Sequence, residues 1–188
     1  FEPSGDLETP YIFEEKVFGG AVPKNYFPAV EKGVQECCLK GPLAGYPVVG
    51  IKATLLDGSY HPVDSSEMAF KMAATLAFKK GFMDANPVLL EPIASVKVVV
   101  PDKFTGDVMG DLNRRRGRVL GMNSLHGGKQ EIVADVPMSE MFGYNTDLRS
   151  MTGGIGVFSY EFSRYEQAPG DVQKKEVEAR TAGGEVEA

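Results

Sequence analysis

The sequence predicts an α+β fold in two domains, and three observations support that prediction. In the first half, patterns typical of strand, helix, strand and helix follow one another. The second half repeats itself after thirty-six residues as two strand–helix–strand units. A short segment with two prolines, 86–92, separates the halves. We therefore expect domains at 1–90 and 91–168, followed by a polar tail at 169–188 that is a frayed helix or disordered.

The first half contains two predicted strands and two predicted helices. The strands are rich in β-branched and aliphatic residues, and the first helix carries apolar residues at helical spacing. The second helix is apolar around most of its circumference, which indicates a helix buried in the core. Asp64 and Glu67 have the spacing of a capping box at its start. The predicted strands are Tyr11–Phe18 and Val48–Leu56, and the predicted helices are Pro23–Leu39 and Met68–Phe82.

The repeat in the second half predicts the fold of the second domain. Pro101 and Pro137 are equivalent positions that end strands, and Gly127 and Gly128 join the two units as a hairpin. We expect Asp102 and Ser139 to cap the two helices. Two such units in tandem give the β-α-β-β-α-β order of a ferredoxin-like fold. The core strands align as Val96, Val98 and Val100 with Ile132, Ala134 and Val136.

The composition indicates what kind of protein this is. With 43% apolar residues the chain is globular, and it has no apolar run long enough to span a bilayer. Cys37 and Cys38 are adjacent, a spacing that strains a mutual disulfide and favours a reduced, cytoplasmic chain. The formal charge of −6 argues against general affinity for nucleic acid but leaves local basic patches open. We expect a monomer.

No catalytic or metal-binding pattern emerges. The two histidines lie far apart, and no Cys-x-x-Cys, His-Glu-x-x-His or P-loop pattern is present. Ser65 and Ser66 lie near His61, but helix capping explains them better than a nucleophile–base pair. We therefore expect no catalysis, no metal and no cofactor within this chain.

Two stretches have features of binding sites. Between Asp57 and Glu67, a strand-to-helix connection carries Ser59, Tyr60 and His61, and it is either a plain junction or a contact site. The segment from Leu112 to Lys129 has no acidic residue, which favours an anionic partner, most simply RNA, over a solvated helix end. Its basic residues are Arg114, Arg115, Arg116, Arg118 and Lys129.

Four motifs resemble bacterial elongation factor G, the translational GTPase that drives ribosomal translocation. The resemblance covers nearly the whole chain apart from the tail and corresponds to the family's domains IV and V. The motifs are Gly41-Pro-Leu-Ala-Gly-Tyr-Pro-Val-Val49, Asp57-Gly-Ser-Tyr-His-Pro-Val-Asp-Ser-Ser-Glu-Met-Ala-Phe70, Asp107-Val-Met-Gly-Asp-Leu-Asn-Arg-Arg-Arg-Gly117 and Glu140-Met-Phe-Gly-Tyr-Asn-Thr-Asp-Leu-Arg-Ser150.

The resemblance implies a fold and a role for each domain. The first domain would resemble domain 2 of ribosomal protein S5, and the second would be ferredoxin-like. Ser59, Tyr60 and His61 would lie at the tip of an arm that contacts transfer RNA and messenger RNA in the decoding region. The Arg114–Arg118 cluster with Lys129 would contact large-subunit ribosomal RNA. The family's GTPase domain is missing from this chain, so GTP and magnesium are expected only in a longer parent protein.

Departures from the family pattern leave two alternatives open. Arg114, Ile155 and Arg164 stand where the family typically has other residues, and a glycine-rich tip loop is absent. The chain is then also compatible with a paralogue that acts in ribosome recycling or antibiotic protection. A different class of function, a small-ligand-binding regulatory module, is open because ferredoxin-like domains often bind metabolites.

Overall fold

The computed structural model describes residues 1–186 and confirms the α+β class. The last two residues of the predicted tail lie outside the described part of the chain. In chain order the elements are β1 (Glu2–Pro3), β2 (Tyr11–Glu15), α1 (Phe27–Leu39), β3 (Ile51–Leu55), α2 (Glu67–Asp84), β4 (Leu90–Pro101), α3 (Thr105–Arg114), β5 (Arg118–Leu125), β6 (Lys129–Pro137), α4 (Tyr144–Thr152), β7 (Val157–Gln167) and α5 (Gly170–Ala182).

The chain forms two compact units. The first comprises Phe1–Val88 and the segment from Gly170 onwards, and the second comprises Leu89–Pro169. The tail therefore contains a helix, α5, that belongs to the first unit. Within that unit the Arg180 guanidinium lies 3.9 Å from the Tyr46 ring centroid, and the Tyr46 hydroxyl donates to Glu176 at 2.6 Å.

A three-stranded sheet forms the centre of the first unit. Its order is β1-β3-β2, with β2 parallel to β3 and α1 as the connection between them. β3 begins only after Gly50, because a φ of +71° at that glycine interrupts the extended backbone. The core of this unit centres on Val34, Cys38 and Phe78. The sheet and α1 thus cover one side of α2.

The prediction that α2 is a buried core helix is wrong. Only Ala74 and Phe78 are buried along its length, whereas Met72 and Leu76 are 59% and 68% exposed. α1 approaches α2 on one side only, at Gly33, where an added Cβ would lie 2.6 Å from the Lys71 carbonyl oxygen. Nothing in the first unit covers the opposite apolar side in the described part of the chain.

The predicted capping box at Asp64 is also wrong. α2 begins at Glu67, and Ser66 is its N-cap, since the Ser66 hydroxyl accepts from the Ala69 N–H at 3.1 Å. Asp64 lies too early, in the hydrogen-bonded turn that precedes the helix. The helix start is therefore fixed by serine.

The second unit confirms the ferredoxin-like prediction. Its four strands form an antiparallel sheet in the order β5-β6-β4-β7, with α3 and α4 as the two crossover helices. The repeat residues pair across the centre of the sheet, Val96 with Ala134 and Val98 with Ile132. These side chains are fully buried, together with Leu112 of α3. The internal repeat therefore packs its two halves around one core.

Asp102 and Ser139 do not cap helices, contrary to prediction. Each lies in a short 3-10 turn, at 102–104 and 138–141, that follows the strand-ending proline. α3 and α4 start only after these turns, with no side-chain cap at either start. The proline corner and the helix are therefore separated by one tight turn in both repeats.

Candidate nucleic-acid interface

The connection between β3 and α2 is ordered by its own hydrogen bonds. The His61 carbonyl accepts from the N–H groups of Asp64 and Ser65 at 3.2 and 3.0 Å, and the Ser65 hydroxyl accepts from the His61 N–H at 2.9 Å. The Asp57 carboxylate accepts from the Gly58 N–H at 2.8 Å. The turn at His61–Ser65 and the bond at Asp57–Gly58 thus flank Ser59–His61 on its two sides.

The three predicted tip residues lie together on this ordered connection. Ser59, Tyr60 and His61 are all exposed. Among residues 1–186, no side-chain hydrogen bond or ion pair occupies Ser59 or His61, so both side chains are available to a partner. Tyr60 is 39% exposed, and its ring lies 5.7 Å from that of Tyr26.

An aromatic stack and a close backbone contact anchor the connection. Tyr26 stacks on Phe70 of α2 with ring centroids 4.6 Å apart, so Tyr60, Tyr26 and Phe70 form a row. Gly58 lies so close to Val22 that an added Cβ would be 2.5 Å from the valine methyl group. Sequence reasoning missed Tyr26 because it is thirty-four residues from Tyr60 and no local pattern links them.

The predicted basic cluster does not form one free patch. Arg114 is 78% exposed, with its nearest carboxylate, that of Asp111, at 3.5 Å. Arg118 is largely exposed, with its guanidinium 3.3 Å from Asp135. Lys129 is exposed at the start of β6 and forms no ion pair within the described residues. These three side chains present positive charge to solvent.

Arg115, in the same segment, is mostly buried and is paired within the second unit. Its side chain is 12% exposed and donates to the Asp111 carboxylate at 2.9 Å, to the Glu140 carbonyl at 2.5 Å and to the Asp147 carboxylate. Its guanidinium also lies 5.0 Å from the Tyr144 ring centroid. Arg115 therefore holds the end of α3 to the start of α4 and has little capacity left for an external phosphate.

Arg116 is likewise paired within the unit. Its guanidinium donates two parallel hydrogen bonds to the Glu91 carboxylate at 2.9 and 2.8 Å, and Nε donates to Glu140 at 3.2 Å. The hydrogen bond to Glu91 raises the pKa of Arg116. The residue adopts a left-handed backbone conformation, with φ of +58°. This bidentate geometry is the one arginine prefers with carboxylates.

The concave features are small. A depression of about 260 Å³ on the second unit is lined by arginines and carboxylates, among them Arg116, Arg164 and Asp135. An apolar depression of about 170 Å³ on the first unit is lined by Tyr11 and Cys38. Both are smaller than typical ligand pockets of roughly 300–1,000 Å³. Neither geometry favours the small-ligand alternative.

The environments of Cys38, Ser65 and Ser66 do not favour nucleophilic catalysis. Burial raises the pKa of the Cys38 thiol to about 11, so the thiol stays protonated near neutral pH. The hydroxyls of Ser65 and Ser66 accept hydrogen bonds in the turn and in the helix cap.

Within the described residues, no group of three or more His, Cys, Asp or Glu side chains is placed to hold a metal ion. No helix described here is long and apolar enough to cross a membrane.

Comparison with known proteins gives two family matches and a similar solved structure. The family model described as Elongation factor G, domain IV matches residues 1–86, and that described as Elongation factor G C-terminus matches residues 88–176. A crystal structure of a protein from Thermus thermophilus is 45% identical with a TM-score of 0.79, over 96% of this chain and 27% of that chain. The chain thus spans about a quarter of that protein's length.

The fold and these matches place the chain in the class of translation elongation factors. Within that class, it belongs to the elongation factor G family and carries the family's domain IV followed by its C-terminal domain.

Proposed function

We propose that this chain is the ribosome- and RNA-binding arm of an elongation factor that promotes GTP-dependent translocation of transfer RNA and messenger RNA. Its partners are ribosomal RNA of both subunits and the tRNA–mRNA complex in the decoding region. The observation that carries the proposal is the match of the two units to successive domains of one translation-factor family. The chain acts by binding, and the GTP and magnesium chemistry belongs to a separate GTPase domain.

The tip of the first unit supports this proposal. Ser59, Tyr60 and His61 combine a hydroxyl, an aromatic ring and an imidazole on a hydrogen-bonded turn. Such groups contact ribose, base and phosphate with little sequence preference, because every base offers a stacking face and every nucleotide a phosphate. A translocating factor needs that tolerance, since each codon brings a different sequence to the same place.

The exposed cations of the second unit support a ribosomal RNA contact. Arg114, Arg118 and Lys129 offer positive charge to solvent, whereas Arg115 and Arg116 support the fold. Phosphate binding by these three side chains releases counterions, so ribosome affinity depends on salt.

A salt titration tests the proposal. We expect log K for binding of the chain to ribosomes to fall linearly with log of the KCl concentration. Arg114→Glu and Arg118→Glu are each expected to flatten the slope by about 0.7–0.9, because each substitution removes one phosphate contact. Lys32→Glu, an equal charge change on α1, is the control. Affinity that stays constant between low and moderate salt would contradict the phosphate contacts.

A further inference from the structure

The Pro23–Tyr26 turn lies beside the predicted tip, because the Tyr26 ring is 5.7 Å from that of Tyr60. Lys24–Tyr26 form a 3-10 turn that runs directly into α1, and the Tyr26 N–H donates to the Pro23 carbonyl at 3.0 Å. Pro23 has φ of −62°, the value its ring imposes, so the turn is conformationally restricted. A conformationally restricted turn at the start of α1 can hold a side chain that packs against it, here Tyr60, in a fixed position.

Tyr26 connects this turn to Tyr60. The two rings are 5.7 Å apart with an interplanar angle of 39°, and the other neighbour of Tyr26 is Phe70, stacked at 4.6 Å and 22°. The Tyr60 ring therefore contacts the Tyr26 ring, which is stacked on Phe70 of α2. The Tyr26 hydroxyl forms no hydrogen bond within the described residues, so its ring alone makes these contacts.

Lys24 is an unneutralised cation in the same turn. It is exposed and has no ion pair among residues 1–186, whereas Lys16 and Lys52 of the same unit both pair with Glu14. Asp57 is the acidic residue closest in sequence to Ser59, and its carboxylate accepts from the Gly58 N–H instead of pairing with Lys24. An exposed ammonium group without an ion pair can donate hydrogen bonds to a phosphate oxygen.

We propose that the Pro23–Tyr26 turn is a second part of the RNA-binding tip, in which Tyr26 is a positioning residue for Tyr60 and Lys24 binds a phosphate of the same RNA. The inference rests on the proposed function, because it needs RNA at Ser59–His61. It adds a charge contact to a tip whose predicted residues supply hydroxyl, aromatic and imidazole groups.

Lys24→Ala tests the charge contact without altering the aromatic row. The probe is a ribosome carrying messenger RNA and transfer RNA, and the readout is the slope of log K for binding of the chain against log of the KCl concentration. Removal of one phosphate contact is expected to flatten the slope by about 0.7–0.9. Lys40→Ala is the matched control, since it removes an exposed lysine at the far end of α1, about 20 Å away along the helix.

Substitution of Tyr26 tests the positioning role. Tyr26→Ala is expected to weaken binding about tenfold, the same loss that is expected when Tyr60→Ala removes the stacking of one base. The double variant is expected to bind no more weakly than Tyr60→Ala alone, because Tyr26 acts through Tyr60. Tyr26→Phe keeps the ring and is expected to bind like the original chain.

The outcomes separate the inference from the proposed function. If Tyr60→Ala and His61→Ala weaken binding while Lys24→Ala behaves like Lys40→Ala, the phosphate contact at Lys24 is wrong and the proposed function stands. Additive losses for Tyr26→Ala and Tyr60→Ala, or equal losses for Tyr26→Phe and Tyr26→Ala, would overturn the positioning role. If neither Tyr60→Ala nor His61→Ala alters binding, both the inference and the proposed tip contact are wrong.

Discussion

Arg114 and Arg115 are adjacent in the sequence but differ in environment. Arg115 contacts two carboxylates and two backbone carbonyls, while Arg114 is mostly solvated at the last residue of α3. A buried charge that loses its partner destabilises a fold far more than an exposed one, because its remaining partner stays desolvated. Loss of Arg115 is therefore expected to destabilise the fold far more than loss of Arg114, although the two side chains are identical.

Replacing the two arginines separately tests this difference. Arg115→Met would leave Asp111 buried without its main partner and is expected to lower the free energy of unfolding of the second unit by about 3 kcal/mol. Arg114→Met is expected to change it by less than about 0.5 kcal/mol. Urea unfolding of the two variants gives both values. Equal losses would show that Arg115 is not the structural residue described here.

The sequence predicted the residue types of the candidate site but not their partners. Four arginines in five positions indicate a binding surface, yet Glu91 and Glu140 pair with Arg116 from about twenty-five residues away along the chain. The two residues of the contact between Tyr26 and Tyr60 are even further apart in sequence, by thirty-four residues. Only tertiary structure brings such groups together, so local patterns cannot separate paired cations from free ones.

At the scale of elements, the start of α2 fixes how the tip is presented. The helix begins where Ser66 accepts from the Ala69 N–H, and the turn at His61–Ser65 closes immediately before it. The turn ends at Ser65 and the cap is Ser66, so no residue lies between them. The position of the cap therefore determines where the tip side chains emerge.

Substitution of the two candidate caps tests that arrangement. Ser66→Ala is expected to lower the free energy of unfolding by about 1 kcal/mol and to speed hydrogen exchange at the Ala69 amide. Asp64→Ala is the matched control and is expected to change stability by less than about 0.5 kcal/mol. A larger loss of unfolding free energy for Asp64→Ala than for Ser66→Ala would show that Asp64, as the sequence pattern indicated, is the N-cap.

Prediction from sequence succeeded for elements with two independent signals. The repeat of the second unit was readable because strand pattern, proline corners and glycines recur at a fixed spacing, and the sheet reproduces that symmetry. α2 was misread because its apolar residues surround the helix while Phe78 alone of its large apolar side chains is fully buried. Hydrophobic content does not show which face the rest of the unit covers.

At the scale of the whole molecule, a formal charge of −6 means that the proposed RNA binding would depend on local features of the surface. Many of its cations are held by carboxylates of the same unit, as Arg116 is by Glu91 and Lys52 by Glu14. The charge left for an external phosphate is therefore concentrated at a few exposed side chains. This distribution favours specific docking on ribosomal RNA over general adhesion to polyanions.

The most direct test of the account is the translocation rate after replacement of His61. In a full-length elongation factor G that carries this chain in place of its own C-terminal part, we measure one round of mRNA movement. His61→Ala is expected to slow the movement about tenfold, the effect of losing about 1.4 kcal/mol of contact energy, with folding and GTP turnover unchanged. His126→Ala, which removes the other histidine of the chain at an exposed hairpin, is expected to translocate normally. Equal rates for the original chain and His61→Ala would contradict the claim that this tip contacts the translocating RNA.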